Sequence, residues 1–309
     1  MKVYYSIEEF TALPKAVVTS GTFDGVHYGH RKIIERLKEI ARVQQAETVM
    51  ITFWPHPRFV LAPEKSDSLK LLSTLEEKIS LLEKLGIDHL IILKFDKPFS
   101  QLTSLEFIDK ILIKGINTTK LVIGYDHRFG RNREGGFEYL KENSGKFGFE
   151  VEEIPKQELE EVAVSSTKIR VALEEGAVDK ANHYLEYEYP VTGTVTDGNK
   201  LGRTIGYPTA NIALEETYKL IPKNGIYAVR VEFEGNTYGG MLNIGNKPTV
   251  TDGSKRTMEV NIFDFNQSIY GKSLTIRFVK HLRDEQKFES VEHLVEQLDK
   301  DKAAALQAI

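Results

Sequence analysis

The chain has 309 residues, with 41 Lys plus Arg against 45 Asp plus Glu, a formal net charge of −4. At roughly 100–200 residues per domain, two domains are expected; 41% hydrophobic and 28% charged residues suit a sizeable core and exclude composition-driven disorder. The acidic balance argues against a general nucleic-acid coat, and the absence of cysteine excludes disulfides, thiolate nucleophiles and Cys-ligated zinc or iron–sulfur sites.

Glu8 and Glu9 stand where a signal peptide needs its apolar core, and no apolar run approaches the ~20 residues that span a bilayer. A cytoplasmic protein with neither membrane nor nucleic acid as partner is expected. Residues 16–19 read as a strand, and Ile33, Leu37, Ile40 and Ala41 then fall on one helical face. Residues 48–53 are strand-like again. Ile79, Leu82 and Leu85 mark a helix closed by Gly86, and residues 90–93 form a buried strand. Leu105, Ile108 and Leu112 make the next helical stripe, before a strand at 121–123. Repeated βα units with continuous apolar strands predict a parallel sheet covered on both faces.

The pattern changes near residue 185. From Tyr189 to Leu282 strand alternation and turn residues dominate, including a hairpin around Glu234-Gly235-Asn236 and strands over 258–265 and 274–279. Such closely spaced antiparallel strands predict a small barrel or sandwich. Val291, Leu294, Val295 and Leu298 form a last helical stripe, with Ser290 as its N-cap. The expected domains are 1–185 and 186–309.

The most informative stretch is Gly21-Thr22-Phe23-Asp24-Gly25-Val26-His27-Tyr28-Gly29-His30, between the first buried strand and the first helix. Small residues there let the backbone approach a phosphate, and the helix start supplies unpaired N–H groups. His27 and His30 can donate to phosphate oxygens as charge builds on them. The pair also reads as a helix cap plus a solvated imidazole, or as two ligands of a metal with no third ligand at obvious spacing. Ser165, Ser166 and Thr167 are N-cap candidates whose hydroxyls compete with phosphate for the same orphan N–H groups. Arg170, one turn further, can bridge phosphate oxygens. Pro55 and Pro57 place His56 in what reads as an exposed turn. Arg128, Arg131 and Arg133 read equally as a solvated loop.

In the second half, Gly193-Thr194-Val195 precedes Gly202-Arg203-Thr204-Ile205-Gly206-Tyr207-Pro208-Thr209-Ala210-Asn211. Alone, the last four residues read as a turn into a strand; the preceding glycines make that insufficient. Glu259, as an isolated strand residue, reads as solvent-facing.

Together these segments resemble the prokaryotic bifunctional riboflavin kinase/FMN adenylyltransferases, or FAD synthetases. Gly21 to His30 is similar to the family's His-x-Gly-His nucleotidyltransferase signature. Phe53-Trp54-Pro55-His56-Pro57 resembles its flavin-contacting turn, and Gly124-Tyr125-Asp126-His127-Arg128-Phe129-Gly130 its adenine-nucleotide loop. Ser165 to Arg170 resembles the helix start that contacts the triphosphate. The glycine array with Pro208 to Asn211 resembles the riboflavin kinase signature, as do Asn243 to Thr249, Met258 to Phe263, and Leu282-Arg283-Asp284-Glu285.

The resemblance implies an α/β Rossmann-like nucleotidyltransferase domain plus a small antiparallel β-barrel riboflavin kinase domain with a C-terminal helix. It implies nucleotide and flavin contacts at Gly21, Thr22, Phe23, Asp24, His56, Asp126, Ser165, Thr167, Arg170, Gly202, Gly206 and Arg283, and Mg²⁺ at Thr209 and Asn211. Glu259 falls on the position of the kinase base, and His27 and His30 on the adenylyl-transfer histidines. The implied ligands are riboflavin, FMN, FAD, ATP, ADP and pyrophosphate, with ATP and flavins as substrates. Three positions depart from the family pattern: His127 for Phe, Lys168 for Arg and Asn261 for His. A kinase with a weak or altered adenylyltransferase half, and a non-catalytic flavin or nucleotide sensor, are the rival readings. Retention of His27, His30 and Glu259 speaks against the sensor. Oligomeric state is not readable from the sequence.

Overall fold

A computed structural model describes residues 1–65, 68–156, 164–197, 201–247 and 255–309. It divides into two compact units, Met1–Ser166 and Thr167–Ile309.

The first unit is built on strands β1 (Lys2–Tyr4), β2 (Ala16–Ser20), β3 (Glu47–Trp54), β4 (His89–Lys94), β5 (Thr118–Gly124) and β6 (Glu150–Ile154). They form one sheet in the order β1-β4-β3-β2-β5-β6, every pair parallel. The expected parallel sheet is present. All five residues of β2 are buried, and successive side chains enter opposite cores: Val18 joins Ile51 and Leu121, whereas Val17 joins Met50 and Leu90. Helix α1 (Tyr28–Gln44) packs Ile33, Ile34 and Leu37 on the Val17 side. From β2 the chain goes on through α1 to β3 on one side, while β5 leads to β6 on the other. The strand order therefore reverses between β2 and β5, and their carboxyl ends open the crevice in which such sheets bind ligands.

A short helix α2 (Pro57–Leu61) follows β3, and α3 (Leu75–Lys84) precedes β4. Helix α3 starts in a capping box: Glu77 N–H donates to Thr74 Oγ1 at 3.1 Å and Thr74 N–H to Glu77 Oε2 at 2.9 Å. Its buried stripe is Leu75, Lys78 and Leu82, so a lysine occupies a core position that the apolar pattern at 79, 82 and 85 did not mark. A further helix, α4 (Ser104–Phe107), continues as a π-helix over Ile108–Ile116. Ile108, Ile111, Leu112 and Ile116 of the π-helix are buried, but in the preceding α-helical turn Ser104 and Phe107 face the core and Leu105 is 39% exposed, which corrects the expected stripe at Leu105. Helix α5 (Phe137–Phe147) buries Leu140 against the same core.

In the second unit, α6 (Ser166–Glu174, its first residue closing the preceding unit) and α7 (Val178–Leu185) lead into strands β7 (Pro190–Thr196), β8 (Ala210–Ala213), β9 (Gly225–Phe233), β10 (Asn236–Lys247), β11 (Lys255–Ile262) and β12 (Ser273–Arg283). These close an antiparallel barrel in the order β10-β11-β8-β7-β12-β9. The β9–β10 hairpin is tighter than the sequence predicts. Phe233 pairs with Asn236, and Glu234 and Gly235 alone make the turn, both with positive φ (47° and 81°). The C-terminal helix α8 (Val291–Ala308) is capped as expected, Ser290 Oγ accepting from His293 N–H at 3.2 Å. Its buried contacts come from Asp301 and Ala305, while Val291 is 55% exposed.

Candidate active sites

In the first unit the chain turns sharply between β2 and α1. Phe23, Gly25 and Val26 have positive φ (47°, 79° and 39°), a conformation costly for a β-branched valine and held here by surrounding contacts. Asp24 supplies much of that hold. Its buried carboxylate accepts from the amides of Leu72 (2.9 Å) and Ser73 (3.1 Å), and Gly25 N–H donates to Ser73 Oγ at 3.2 Å. The Asp24 carbonyl accepts from Ser166 Oγ at 3.2 Å, which ties residue 166 to the turn.

His27 is the N-cap residue of α1, whose first turn carries no acidic residue. The His27 and His30 rings stack with centroids 3.7 Å apart and planes 17° from parallel, and Phe23 meets His30 edge-on at 5.2 Å. Side-by-side stacking sends the ring lone pairs along parallel planes, an arrangement unsuited to chelating one metal ion. Among the described residues no group of three or more His, Asp or Glu is placed to hold a metal. Burial, then the neighbouring His27 and Lys78, holds His30 well below the ordinary imidazole range, so it is neutral at pH 7. Its Nδ1 is buried without a hydrogen-bond partner among the described residues. Beneath the turn, Lys78 donates to the Thr22 carbonyl at 2.7 Å and lies 3.5 Å from Thr52 Oγ1. Two imidazoles, a buried ammonium and the N-terminus of α1 thus surround one turn beside the strand-order reversal, where a phosphate chain fits.

In the second unit the register of the barrel assembles a second group. Glu259 on β11 lies directly opposite Asn211 on β8 and Asn243 on β10, so the three side chains share one face. Thr209 Oγ1 donates to Glu259 Oε2 at 3.4 Å. The preceding turn is closed by Tyr207 N–H donating to the Gly202 carbonyl at 2.7 Å. A Cβ at Gly202 would lie 2.2 Å from the Tyr207 carbonyl oxygen, so only glycine fits there. Asn261 Nδ2 donates to the Pro208 carbonyl at 2.7 Å and fixes the start of the Thr209–Asn211 segment. An open cavity of about 520 Å³ borders this segment, lined among others by Val195, Arg203, Thr209, Ile262 and Tyr270. Hydroxyl, amide and carboxylate oxygens converging beside a glycine-closed turn suit a nucleotide–Mg²⁺ group and a proton acceptor.

Residues 10–168 match the FAD synthetase family model and residues 185–309 the riboflavin kinase model. Over 297 residues the chain is 40% identical to the bifunctional riboflavin kinase/FMN adenylyltransferase of Bacillus subtilis, covering 95% of this chain and 92% of that protein. The chain belongs to the bifunctional riboflavin kinase/FMN adenylyltransferase family. The Escherichia coli K12 member is 34% identical over 99% of this chain and 97% of its own length. A solved structure described as a macrolide-efflux protein from Streptococcus pneumoniae superposes with a TM-score of 0.89 at 35% identity, covering 98% of both chains.

Against the family pattern, the residues expected at the two sites take distinct positions. Gly21 and Thr22 line the turn half-buried, whereas Phe23 and Asp24 are buried beneath it, with the Asp24 carboxylate committed to the 72–73 amides. His56 is 7% exposed, which corrects the expected open turn: its Nδ1 accepts from Arg58 N–H at 3.2 Å and caps α2, and Phe59 meets the ring edge-on at 6.1 Å. Asp126 is exposed, as are Arg128, Arg131 and Arg133. Ser165 and Arg170 are half-buried and Thr167 exposed. Gly206 carries the positive φ (84°) that ends the glycine turn. Arg283 is engaged within the protein: its Nε and Nη2 donate to the buried Asp301 carboxylate at 2.9 and 2.6 Å, and Nη1 to the Asp284 carbonyl at 3.0 Å. Pro248 and Thr249 of the glycine–proline loop lie outside the described residues.

Of the three departures, His127 is the most consequential. Its Nε2 lies 3.0 Å from Ser20 Oγ, joining the carboxyl ends of β5 and β2, and burial lowers its pKa to about 4. Asn261 holds Pro208, and Lys168 is exposed on α6. Two residues escaped the sequence reading as site members. Lys78 was hidden because a charged residue does not count toward an apolar stripe, although its spacing from Leu75 and Leu82 places it on one. Asn243 was read only as part of a loop motif, and its position opposite Glu259 depends on barrel register.

Proposed function

We propose that the chain makes flavin cofactors in two steps: residues 186–309 phosphorylate riboflavin with ATP to give FMN and ADP, and residues 1–185 adenylylate FMN with a second ATP to give FAD and pyrophosphate. Support comes from family membership along nearly the whole length of the chain, and from two separate sets of chemical groups, one in each unit. The observation that carries the kinase half is Glu259 facing Asn211 with the Thr209 hydroxyl beside it.

In that half the Glu259 carboxylate takes the proton of the riboflavin 5′-hydroxyl as its oxygen attacks the γ-phosphorus, and the bond to the β-phosphate oxygen breaks to release ADP. Thr209 and Asn211 would hold Mg²⁺, whose charge offsets that of the transferring phosphoryl group. Oxygen donors of this kind, too few for a complete cage, fit an ion that arrives on the nucleotide and keeps several waters. The closed turn from Gly202 to Tyr207 positions the phosphates.

In the other half an FMN phosphate oxygen attacks the α-phosphorus of ATP and the α–β bridging bond breaks, so no covalent enzyme intermediate is needed. His27, His30 and the α1 N-terminus stabilise charge on the pentavalent transition state. The resemblance assigns Ser165, Thr167 and Arg170 to the triphosphate, Asp126 to the nucleotide loop and His56 to the flavin. Among the described residues no helix is long and apolar enough to cross a membrane; a chain without cysteine fits a reducing compartment, and the cytoplasm is the proposed location. An end-point chromatogram of purified protein with riboflavin, excess ATP and Mg²⁺ tests the whole reading. FAD accumulating after FMN is expected; FMN alone removes the adenylylation step assigned to residues 1–185, and unchanged riboflavin removes the phosphorylation step assigned to residues 186–309.

A further inference from the structure

We propose that Lys78, which lies outside the segments that carry the family resemblance, is a positioning residue for adenylyl transfer: from beneath the turn it fixes the Thr22–Phe23 peptide so that the Phe23 N–H faces the reacting phosphates. This rests on the reading that the first unit adenylylates FMN.

The geometry is specific. Lys78 is 3% exposed, yet it is a charged side chain with a four-carbon stem, which ordinarily reaches water. Its ammonium lies 2.7 Å from the Thr22 carbonyl, which also accepts from Thr52 Oγ1 at 3.3 Å. Two donors from below therefore hold that carbonyl. The Thr22–Phe23 peptide is trans, so its N–H points opposite to its C=O, away from Lys78 and β3. The Phe23 N–H has no hydrogen-bond partner among the described residues, and Phe23 itself holds a strained φ of 47°. An ammonium bonded to the far end of a peptide also polarises it, making the opposed N–H a stronger donor.

The charged and titratable groups facing Lys78 can be named element by element. The turn after β2 contributes Asp24, whose carboxylate favours the ammonium; α1 contributes His30, stacked on His27. From β3 comes the uncharged Thr52 hydroxyl, and on α3 itself the Glu77 carboxylate closes the capping box. Desolvation outweighs Asp24 and brings the ammonium down to about 8. The cation is thus present at neutral pH and lost as the medium becomes mildly alkaline, with Thr22 then held by Thr52 alone.

The test is the pH dependence of kcat/KM for FMN adenylylation between pH 6.5 and 9.5 in the wild type, Lys78→Met and Lys78→Arg, with riboflavin phosphorylation by the same preparations in parallel. The wild type is expected to lose activity above about pH 8. Lys78→Met should fall about 10- to 100-fold at pH 7, mainly in kcat, without that alkaline limb. Lys78→Arg should recover part of the rate and keep it to pH 9.5. Riboflavin phosphorylation should be unchanged in both. A wild-type profile flat to pH 9.5 overturns the proposal without recourse to any variant, as does a Lys78→Met enzyme that keeps either the full rate or the alkaline limb. If the wild type makes no FAD at any pH, the reading of the first unit fails instead, and the two failures are distinct.

Discussion

Glu259 and Asn211 stand directly opposite each other on β11 and β8, in a register that also brings Asn243 alongside from β10. No two of these residues are closer than 16 positions in sequence, so the pairing of β11 with β10 and with β8 makes them neighbours. The carboxylate faces amide and hydroxyl groups, and this distinguishes it from an ordinary solvent-facing strand glutamate.

Glu259→Gln keeps the shape and removes the proton acceptor. Riboflavin phosphorylation is expected to fall by about 10²- to 10⁴-fold, with FMN adenylylation within about twofold of wild type. Steady-state rates with riboflavin and with FMN as separate substrates decide it; equal loss of both activities would refute the separation of roles.

His30→Ala should do the reverse. Loss of one donor to developing phosphate charge costs about 10²- to 10³-fold in adenylylation, with riboflavin phosphorylation retained. The loss should appear in kcat/KM and persist at saturating FMN. A normal FAD yield from this variant would mean that the stacked imidazoles serve packing alone.

Arg283 and Asp301 form a two-pronged ion pair that secures the end of β12 to α8. Asp301→Ala leaves a largely buried guanidinium without its counter-charge, a change that costs about 3–5 kcal/mol. Urea unfolding followed by a probe in the barrel should show this loss. Asp301→Ala with wild-type stability would show that Arg283 had been free to act elsewhere.

His127 links stability to pH. Its folded-state pKa, about 4, lies below the ordinary imidazole value of 6.5 because the ring is desolvated. Between those values the unfolded chain binds a proton that the folded chain refuses, so stability is complete above pH 6.5 and is lost as pH falls toward 4. The half-buried ring limits this contribution to about 1–3 kcal/mol, and His30 acts in the same direction. Thermal melts at pH 5 and pH 7 should differ less in His127→Phe than in the wild type. Equal pH sensitivity of the two proteins would exclude His127 as a source.

The sequence exposed the βα alternation of the first unit and the strand-rich second unit because buried parallel strands and barrel strands have different periodicities. Its glycine, histidine and hydroxyl clusters marked both turns. Three things lay beyond that pattern. His56 is buried while its Nδ1 caps α2, and the side chains that cover the ring are not encoded by its flanking prolines. The stripe failed at Leu105 because the core face of that helical turn runs through Ser104 and Phe107, and a serine does not register in an apolar pattern. Lys78 went unseen because burial of a lysine is decided by the carbonyl and hydroxyl that meet it, Thr22 and Thr52, which are 56 and 26 residues away.

The most direct test of two chemistries in one chain is to follow the ATP phosphates separately. Purified protein would be given riboflavin, Mg²⁺ and ATP labelled at either the γ- or the α-phosphorus, and FMN and FAD resolved over time. The expected result is γ-label in FMN and in FAD, and α-label in FAD alone, with FMN rising first. Appearance of α-label in FMN, or FAD without γ-label, would contradict the assignment of phosphoryl transfer to the Glu259 barrel and adenylyl transfer to the His27–His30 turn.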